Sequence, residues 1–286
     1  MSQVFDKQFR RTLSEILRRA PRQRSGQQHH VRSRRRTRSE SGTFSGHRPY
    51  SPGDDLRNLD WNVYARSDEL HLKVLEDEDR VGMTLILDRS GSMRADDRWT
   101  GALRLAAILG GLALVRLGGL HLAGGSGRDS VLQGAASLTR FLDLLQEMSV
   151  EDSNPTAVAG GILDQGSVGR VFWVSDFAQP AEFEPALALL RRNGGRCTGW
   201  LPVVSTDAVP DADGYVLFAD PETGREELLQ VDPLLRRAME SELSLLARQQ
   251  NAVFSEVAYP LHRFKIPDPG DYRIPAWSGG GTVYWA

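Results

Sequence analysis

Apolar positions along this chain switch between two periods. From Val4 to Ala20 they fall at Phe5, Phe9, Leu13, Ile16 and Leu17, one face of a helix, while Arg10, Arg11, Arg18 and Arg19 lie largely elsewhere. Pro21 ends that helix, and residues 21–46 are Arg, Ser, Gln, Gly and His with almost nothing apolar, the composition of a linker. Ser51-Pro52-Gly53-Asp54-Asp55 carries turn chemistry, and Leu70 to Val74 alternates as a half-buried strand does. Val81 to Leu87 is almost continuously apolar, as expected of a strand covered on both faces, and it ends at Asp88.

The pattern then predicts a long helix over Arg98–Leu117, a short strand near Leu120–Ala123 and a helix near Leu138–Met148. A second buried strand, Gly169–Ser175, ends at another aspartate, Asp176. A helix over Pro185–Arg192, strands over Cys197–Val204 and Tyr215–Phe218, a helix over Pro233–Gln250 and a strand over Ala252–Val257 follow. Apolar strands alternating with helices predict an α/β fold, a doubly wound, mostly parallel sheet flanked by helices. Ligands of such sheets sit beyond the carboxyl ends of the strands, where Asp88 and Asp176 are expected.

Composition adds a charge asymmetry. The 286 residues carry a formal charge of only −2, yet residues 1–40 hold twelve Lys and Arg against three carboxylates, a net of +9, which leaves −11 on the rest. Five arginines from Arg32 to Arg38 could meet phosphates, but no aromatic residue is interleaved with them, so nucleic acid is an unfavoured partner. The arm is expected to meet an acidic protein surface. A single cysteine, Cys197, excludes an internal disulfide and any multi-cysteine metal site, which points to a reducing, cytoplasmic setting. The longest nearly apolar stretch, Leu105 to Val115, is shorter than the roughly 20 residues of a spanning helix, so no membrane span is expected.

Asp88-Arg89-Ser90-Gly91-Ser92 directly follows the first core strand. One carboxylate and two hydroxyls make a hard oxygen half-site suited to Mg²⁺ or Mn²⁺, to which Asp176 and Thr156 could add a carboxylate and a hydroxyl. The same residue types also serve simply as turn and helix-cap residues after strands. Enzyme motifs are missing: there is no Gly-x-x-x-x-Gly-Lys-Ser/Thr loop, no Gly-x-Ser-x-Gly elbow and no His-Glu-x-x-His. A haloacid-dehalogenase-type phosphatase would need an aspartate where Ser90 stands.

The Asp-x-Ser-x-Ser loop, the mid-domain Thr156 and the strand-end Asp176 resemble the metal-ion-dependent adhesion site (MIDAS) of von Willebrand factor A-like domains. The segment from Arg48 to Arg66, containing Tyr50, Gly53, Asp54, Asp55, Arg57, Asp60 and Trp61, resembles the hallmark of the bacterial DUF58 family, whose members are often encoded beside MoxR-type AAA+ ATPases. The resemblance divides the chain into an N-terminal amphipathic helix and basic linker (1–46), a hallmark segment (47–80), a von Willebrand factor A-like domain (81–260) and a tail (261–286). It implies a non-catalytic protein-interaction domain that binds a MoxR-type ATPase or its client through a divalent cation. A metal-dependent phosphohydrolase and a nucleic-acid-associated factor acting through the basic arm are the alternatives. In the hallmark, Arg48, Arg57 and Arg66 are expected to pair with Asp54, Asp55 and Asp60, with Trp61 and Tyr64 as apolar anchors. The competing role for Asp54 and Asp55 is contact with a partner.

Overall fold

The computed structural model describes residues 4–19, 43–51, 59–76, 82–95, 97–123, 130–151, 154–164, 169–204, 207–210, 214–220, 223–265, 275–278 and 281–284. Most of the basic linker and hallmark residues Gly53, Asp54, Asp55 and Arg57 lie outside them. In chain order the elements are α1 (Lys7–Arg19), β1 (Thr43–Pro49), α2 (Trp61–Ser67), β2 (His71–Glu76), β3 (Met83–Leu87), α3 (Arg98–Leu112), β4 (Gly119–Ala123), β5 (Ser130–Gln133), α4 (Leu138–Glu147) and α5 (Pro155–Asp164). After them come β6 (Arg170–Val174), α6 (Pro180–Arg192), β7 (Arg196–Val203), β8 (Gly214–Ala219), β9 (Glu226–Val231), α7 (Pro233–Glu256), β10 (Leu261–Lys265), β11 (Pro275–Ser278) and β12 (Gly281–Tyr284). The chain forms two compact units, residues 33–80 and the remainder.

The larger unit is built on a six-stranded sheet of order β10-β7-β6-β3-β4-β5, parallel except for β5, which runs antiparallel to β4. The two-residue period of the strands sorts side chains between two apolar layers. Met83, Leu85 and Leu87 of β3 and Phe172 and Val174 of β6 join α1, α3 and α4 on one face. Ile86, Val171 and Trp173 join α5, α6 and α7 on the other. Both central strands are buried on both sides, which is why they read as continuous apolar runs.

Helix α1 belongs to this core. Asp6 accepts a hydrogen bond from the Phe9 backbone N–H at 2.7 Å and so caps the helix, while Phe5, Phe9, Leu13 and Leu17 are buried. Arg104 of α3 donates to the Val4 carbonyl at 2.9 Å, and Arg116 donates to the Leu17 carbonyl at 2.8 Å. The amphipathic helix grouped in sequence with the linker thus spends its apolar face on α3.

Two further features depart from the sequence reading. Residues 252–257, expected as a strand, continue α7 to Glu256, because Val253, Phe254 and Val257 fit a helical face as well as a strand. The edge strand is instead β10, in the segment read as a tail. The strand predicted near Tyr215 exists, but it pairs with β9 in a separate antiparallel hairpin. The long helix predicted over Arg98–Leu117 forms as a continuous helical run of 20 residues, and by length and composition that run is apolar enough to cross a bilayer although the apolar stretch Leu105 to Val115 alone is too short. Here two-thirds of it is buried among the sheet and neighbouring helices, as a core helix is.

Gly110 shows how closely that helix packs. A Cβ there would lie 2.3 Å from Phe141 Cζ, and Phe141 is fully buried. In an open helix Gly→Ala gains about 1 kcal/mol of propensity, but overpacking costs about 1–3 kcal/mol. Gly110→Ala is therefore expected to lower the urea midpoint, and adding Phe141→Leu should restore it.

The smaller unit pairs β1 with β2 antiparallel. Asp60 caps α2 by accepting from the Asn62 N–H at 2.9 Å, and it also meets His47 Nε2 at 2.8 Å. Arg66 donates to the Asn62 carbonyl at 3.0 Å, while Asp54, Asp55 and Arg57, the other members of the expected hallmark pairing, lie outside the described residues. Arg48 donates to the Pro49 carbonyl at 3.3 Å, and Tyr50 is half-buried. Trp61 is 65% exposed and Tyr64 38%, so the two rings stack edge to face on a surface rather than anchoring a core.

Candidate metal centre

Strand β3 is followed in sequence by β4, its neighbour on one side, and the chain later returns to β6 on the other. The direction of winding therefore reverses between β3 and β6, and a crevice opens at their carboxyl ends. Asp88 leaves β3 there, its backbone N–H still bonded to the Val174 carbonyl at 2.8 Å, and Asp176 leaves β6. Asp88, Ser90, Ser92, Pro155, Asp176 and Glu182 line one cleft.

The loop after β3 turns because the Asp88 Oδ1 accepts the Ser90 backbone N–H at 2.9 Å, and residues 91–94 then form a short 3₁₀ turn. Its other oxygen accepts the Ser175 hydroxyl at 2.5 Å. The Ser90 and Ser92 hydroxyl oxygens stand 3.1 Å apart. Arg89 points away from the cleft, donating to the Ser149 carbonyl at 2.6 Å and pairing with Glu151 at 2.6 Å, which ties the loop to the segment before α5.

Asp176 is fixed differently. Its Oδ1 accepts the Ala178 N–H at 3.1 Å, and its Oδ2 accepts from the Arg98 guanidinium at 2.7 Å. Burial pushes the Asp176 carboxyl above its ordinary range, and Asp88 beside it acts in the same direction. Arg98 and a hydrogen bond from Ser92 oppose that rise. The next residue, Phe177, has a backbone φ of 48°, and its buried ring packs on Phe183 and Phe254 at centroid distances of 4.8 and 4.9 Å. The Gln250 side chain donates to the Asp176 carbonyl at 2.9 Å.

Of the five predicted site residues, Asp88, Ser90, Ser92 and Asp176 come together. Thr156 stands exposed in the first turn of α5, where Pro155 lines the cleft, and the Asn154 side chain caps the helix by accepting from the Ala157 N–H at 3.0 Å. Sequence reasoning missed Ser175, Arg98 and Asp207. Asp207 pairs with the other end of the Arg98 guanidinium and accepts the Val204 N–H at 2.8 Å. It follows the strand predicted over 197–204, so a third strand-end aspartate was a usable signal. Cys197 is buried in β7 and burial pushes its thiol well above the ordinary range, which leaves it inert.

The donor set suits a hard cation. The cleft lining offers the carboxylates of Asp88, Asp176 and Glu182 with the hydroxyls of Ser90 and Ser92, and among the described residues no three His, Cys, Asp or Glu side chains are grouped closely enough to hold a metal by themselves. Oxygens at right angles around Mg²⁺ lie about 3 Å apart, given bonds of about 2.0–2.1 Å, and the two serine hydroxyls already have that separation. The amino ends of α5 and α6 border the cleft, and their dipoles favour ionised carboxylates there.

Comparison with known proteins gives the chain relatives of undetermined role. The uncharacterized proteins Mb1516 of Mycobacterium bovis and Rv1480 of Mycobacterium tuberculosis are each 24% identical over 207 residues, covering 66% of this chain. The aligned region spans 63% of their own length. Among solved structures, the conserved hypothetical protein BatB from Bacteroides thetaiotaomicron matches with a TM-score of 0.40 at 12% identity, over 65% of this chain and 91% of that one. An aerotolerance-related membrane protein from Bacteroides fragilis matches with a TM-score of 0.36 at 15% identity, over 62% and 98%. The profile of DUF58, a family described as a protein of unknown function, matches residues 46–251, and the chain belongs to that family.

Proposed function

We propose that this protein is a non-catalytic interaction domain of von Willebrand factor A-like type that holds one Mg²⁺ or Mn²⁺ ion and uses it to bind a protein partner. The observation that supports this reading is the convergence of Asp88, Ser90, Ser92 and Asp176 on one cleft at the point where the sheet reverses its winding. These four side chains hold the ion, and Thr156, exposed beside the cleft-lining Pro155, is the fifth member of the proposed set. A bound divalent cation supplies a site for an incoming carboxylate, because an exposed ion short of oxygen ligands attracts Asp or Glu strongly and directionally. Ser175 and Arg98 orient the two protein carboxylates, and Phe177 and Gln250 stiffen the cleft wall. The partner in this proposal is a MoxR-type AAA+ ATPase or its client, met in the cytoplasm.

The test is capture of a purified MoxR-type ATPase from the same organism in Mg²⁺, in chelator, and by Asp88→Ala in Mg²⁺. Loss of a desolvated charge contact costs about 2–5 kcal/mol, so chelator and the substitution should each weaken capture by about 30-fold or more. Equal capture in all three conditions would sink the metal-bridge reading. Hydrolysis of a generic phosphate ester that vanishes in Asp88→Ala would replace it with the phosphohydrolase reading.

A further inference from the structure

We infer that Arg98 is a resident cation buried beside the cleft, competing with the metal ion for Asp176: it holds the site together without metal and lowers the affinity when metal arrives. This inference rests on the cation-site reading of the cleft.

Arg98 occupies an unfavourable place for an arginine. It is the first residue of α3, where the helix dipole repels positive charge, and it is only 7% exposed. Its Nε makes no hydrogen bond among the described residues. One terminal nitrogen donates both to the Ser92 carbonyl at 3.0 Å and to Asp176 Oδ2 at 2.7 Å. The other pairs with Asp207, which the Val204 N–H anchors at the end of β7. A guanidinium buried at this end of a helix persists only because two carboxylates from different strand ends pay for its desolvation.

The arrangement is asymmetric in a way that matters for metal. Asp176 is a proposed ligand at the cleft, whereas Asp207 does not line it. When a divalent cation takes Asp176, Arg98 still has Asp207 as a counter-ion, so the guanidinium need not leave the interior. Its positive charge then lies against a ligand of the ion and opposes binding.

Mn²⁺ titration by calorimetry of the wild type, Arg98→Met and Asp207→Asn tests this, with thermal melting in the presence and absence of Mn²⁺ alongside. Removing a unit charge in hydrogen-bond contact with a ligand should tighten Mn²⁺ binding by at least about tenfold in Arg98→Met. Its melting temperature should also rise more with Mn²⁺ than that of the wild type. Asp207→Asn leaves Arg98 to Asp176 alone and should weaken Mn²⁺ binding, and by more than Glu184→Gln, which removes an exposed carboxylate of α6 outside the cleft. If Arg98→Met does not fold, Asp207→Asn decides. Weaker or unchanged binding by a folded Arg98→Met, or unchanged or tighter binding by Asp207→Asn, overturns the competition while the cation site stands. No Mn²⁺ bound by the wild type or any variant overturns the cation site and this inference with it.

Discussion

Replacing both Phe5 and Phe9 by aspartate is expected to abolish the cooperative unfolding transition of the larger unit. The two rings are 0% and 1% exposed and stack on each other at a centroid distance of 5.4 Å. Truncating one buried Phe costs about 3–5 kcal/mol, so losing two costs about 6–10 kcal/mol before any penalty for the carboxylates. Whole domains are stable by only about 5–15 kcal/mol. Urea denaturation followed by far-ultraviolet circular dichroism reads the outcome. Arg18→Ala, at an exposed position on the same helix, should change stability by no more than about 0.5 kcal/mol. A double variant that keeps the wild-type midpoint would show that α1 is an appendage rather than part of the core.

Phe177 provides the second large effect and a finer discrimination. Phe177→Ala should cost about 3–5 kcal/mol, because a fully buried ring at the centre of an aromatic cluster leaves a cavity between Phe183 and Phe254. Phe177→Gly removes one more carbon, yet it should be no more destabilising than Phe177→Ala. The backbone φ of 48° carries a left-handed penalty of roughly 1–2 kcal/mol that alanine retains and glycine escapes. Chemical denaturation of both variants measures the difference. A glycine variant clearly less stable than the alanine variant would show that packing alone holds this turn. The phenyl cluster thus keeps the residue after Asp176 in a conformation it would not otherwise adopt, which fixes the direction in which the chain leaves β6.

The parts of the fold that sequence made legible are those buried on two sides. Val81–Leu87 and Gly169–Ser175 read as strands covered on both faces, and the aspartates that end them fell beside each other because parallel neighbours share a carboxyl edge. Short or one-sided elements were harder to read. Ser130–Gln133 has four residues and one buried side chain, too few for alternation to register, so the antiparallel edge was missed. Val253 and Phe254 satisfy two periods at once, and only packing against the sheet chooses the helix. Arg98 was illegible for another reason: an arginine opening a helix ordinarily faces solvent, and nothing local tells that two aspartates 78 and 109 residues away will enclose it. His47 and Asp60 likewise meet only because β1 and the start of α2 fold side by side.

Those separations have a consequence for the order of assembly. Asp88 meets Ser175 across 87 residues, and Arg98 reaches Asp207 across 109. Closing loops of that size is entropically late, since distant contacts give no return until the segments between them are already placed. During synthesis the amino-terminal half emerges first, with the whole Asp88–Ser92 loop but neither Asp176 nor Asp207. The cleft is therefore complete only once β6 has joined β3 and the amino end of α6 is in place. A partner that reads the completed cleft would ignore nascent and half-folded chains, so engagement would itself report that the domain is finished.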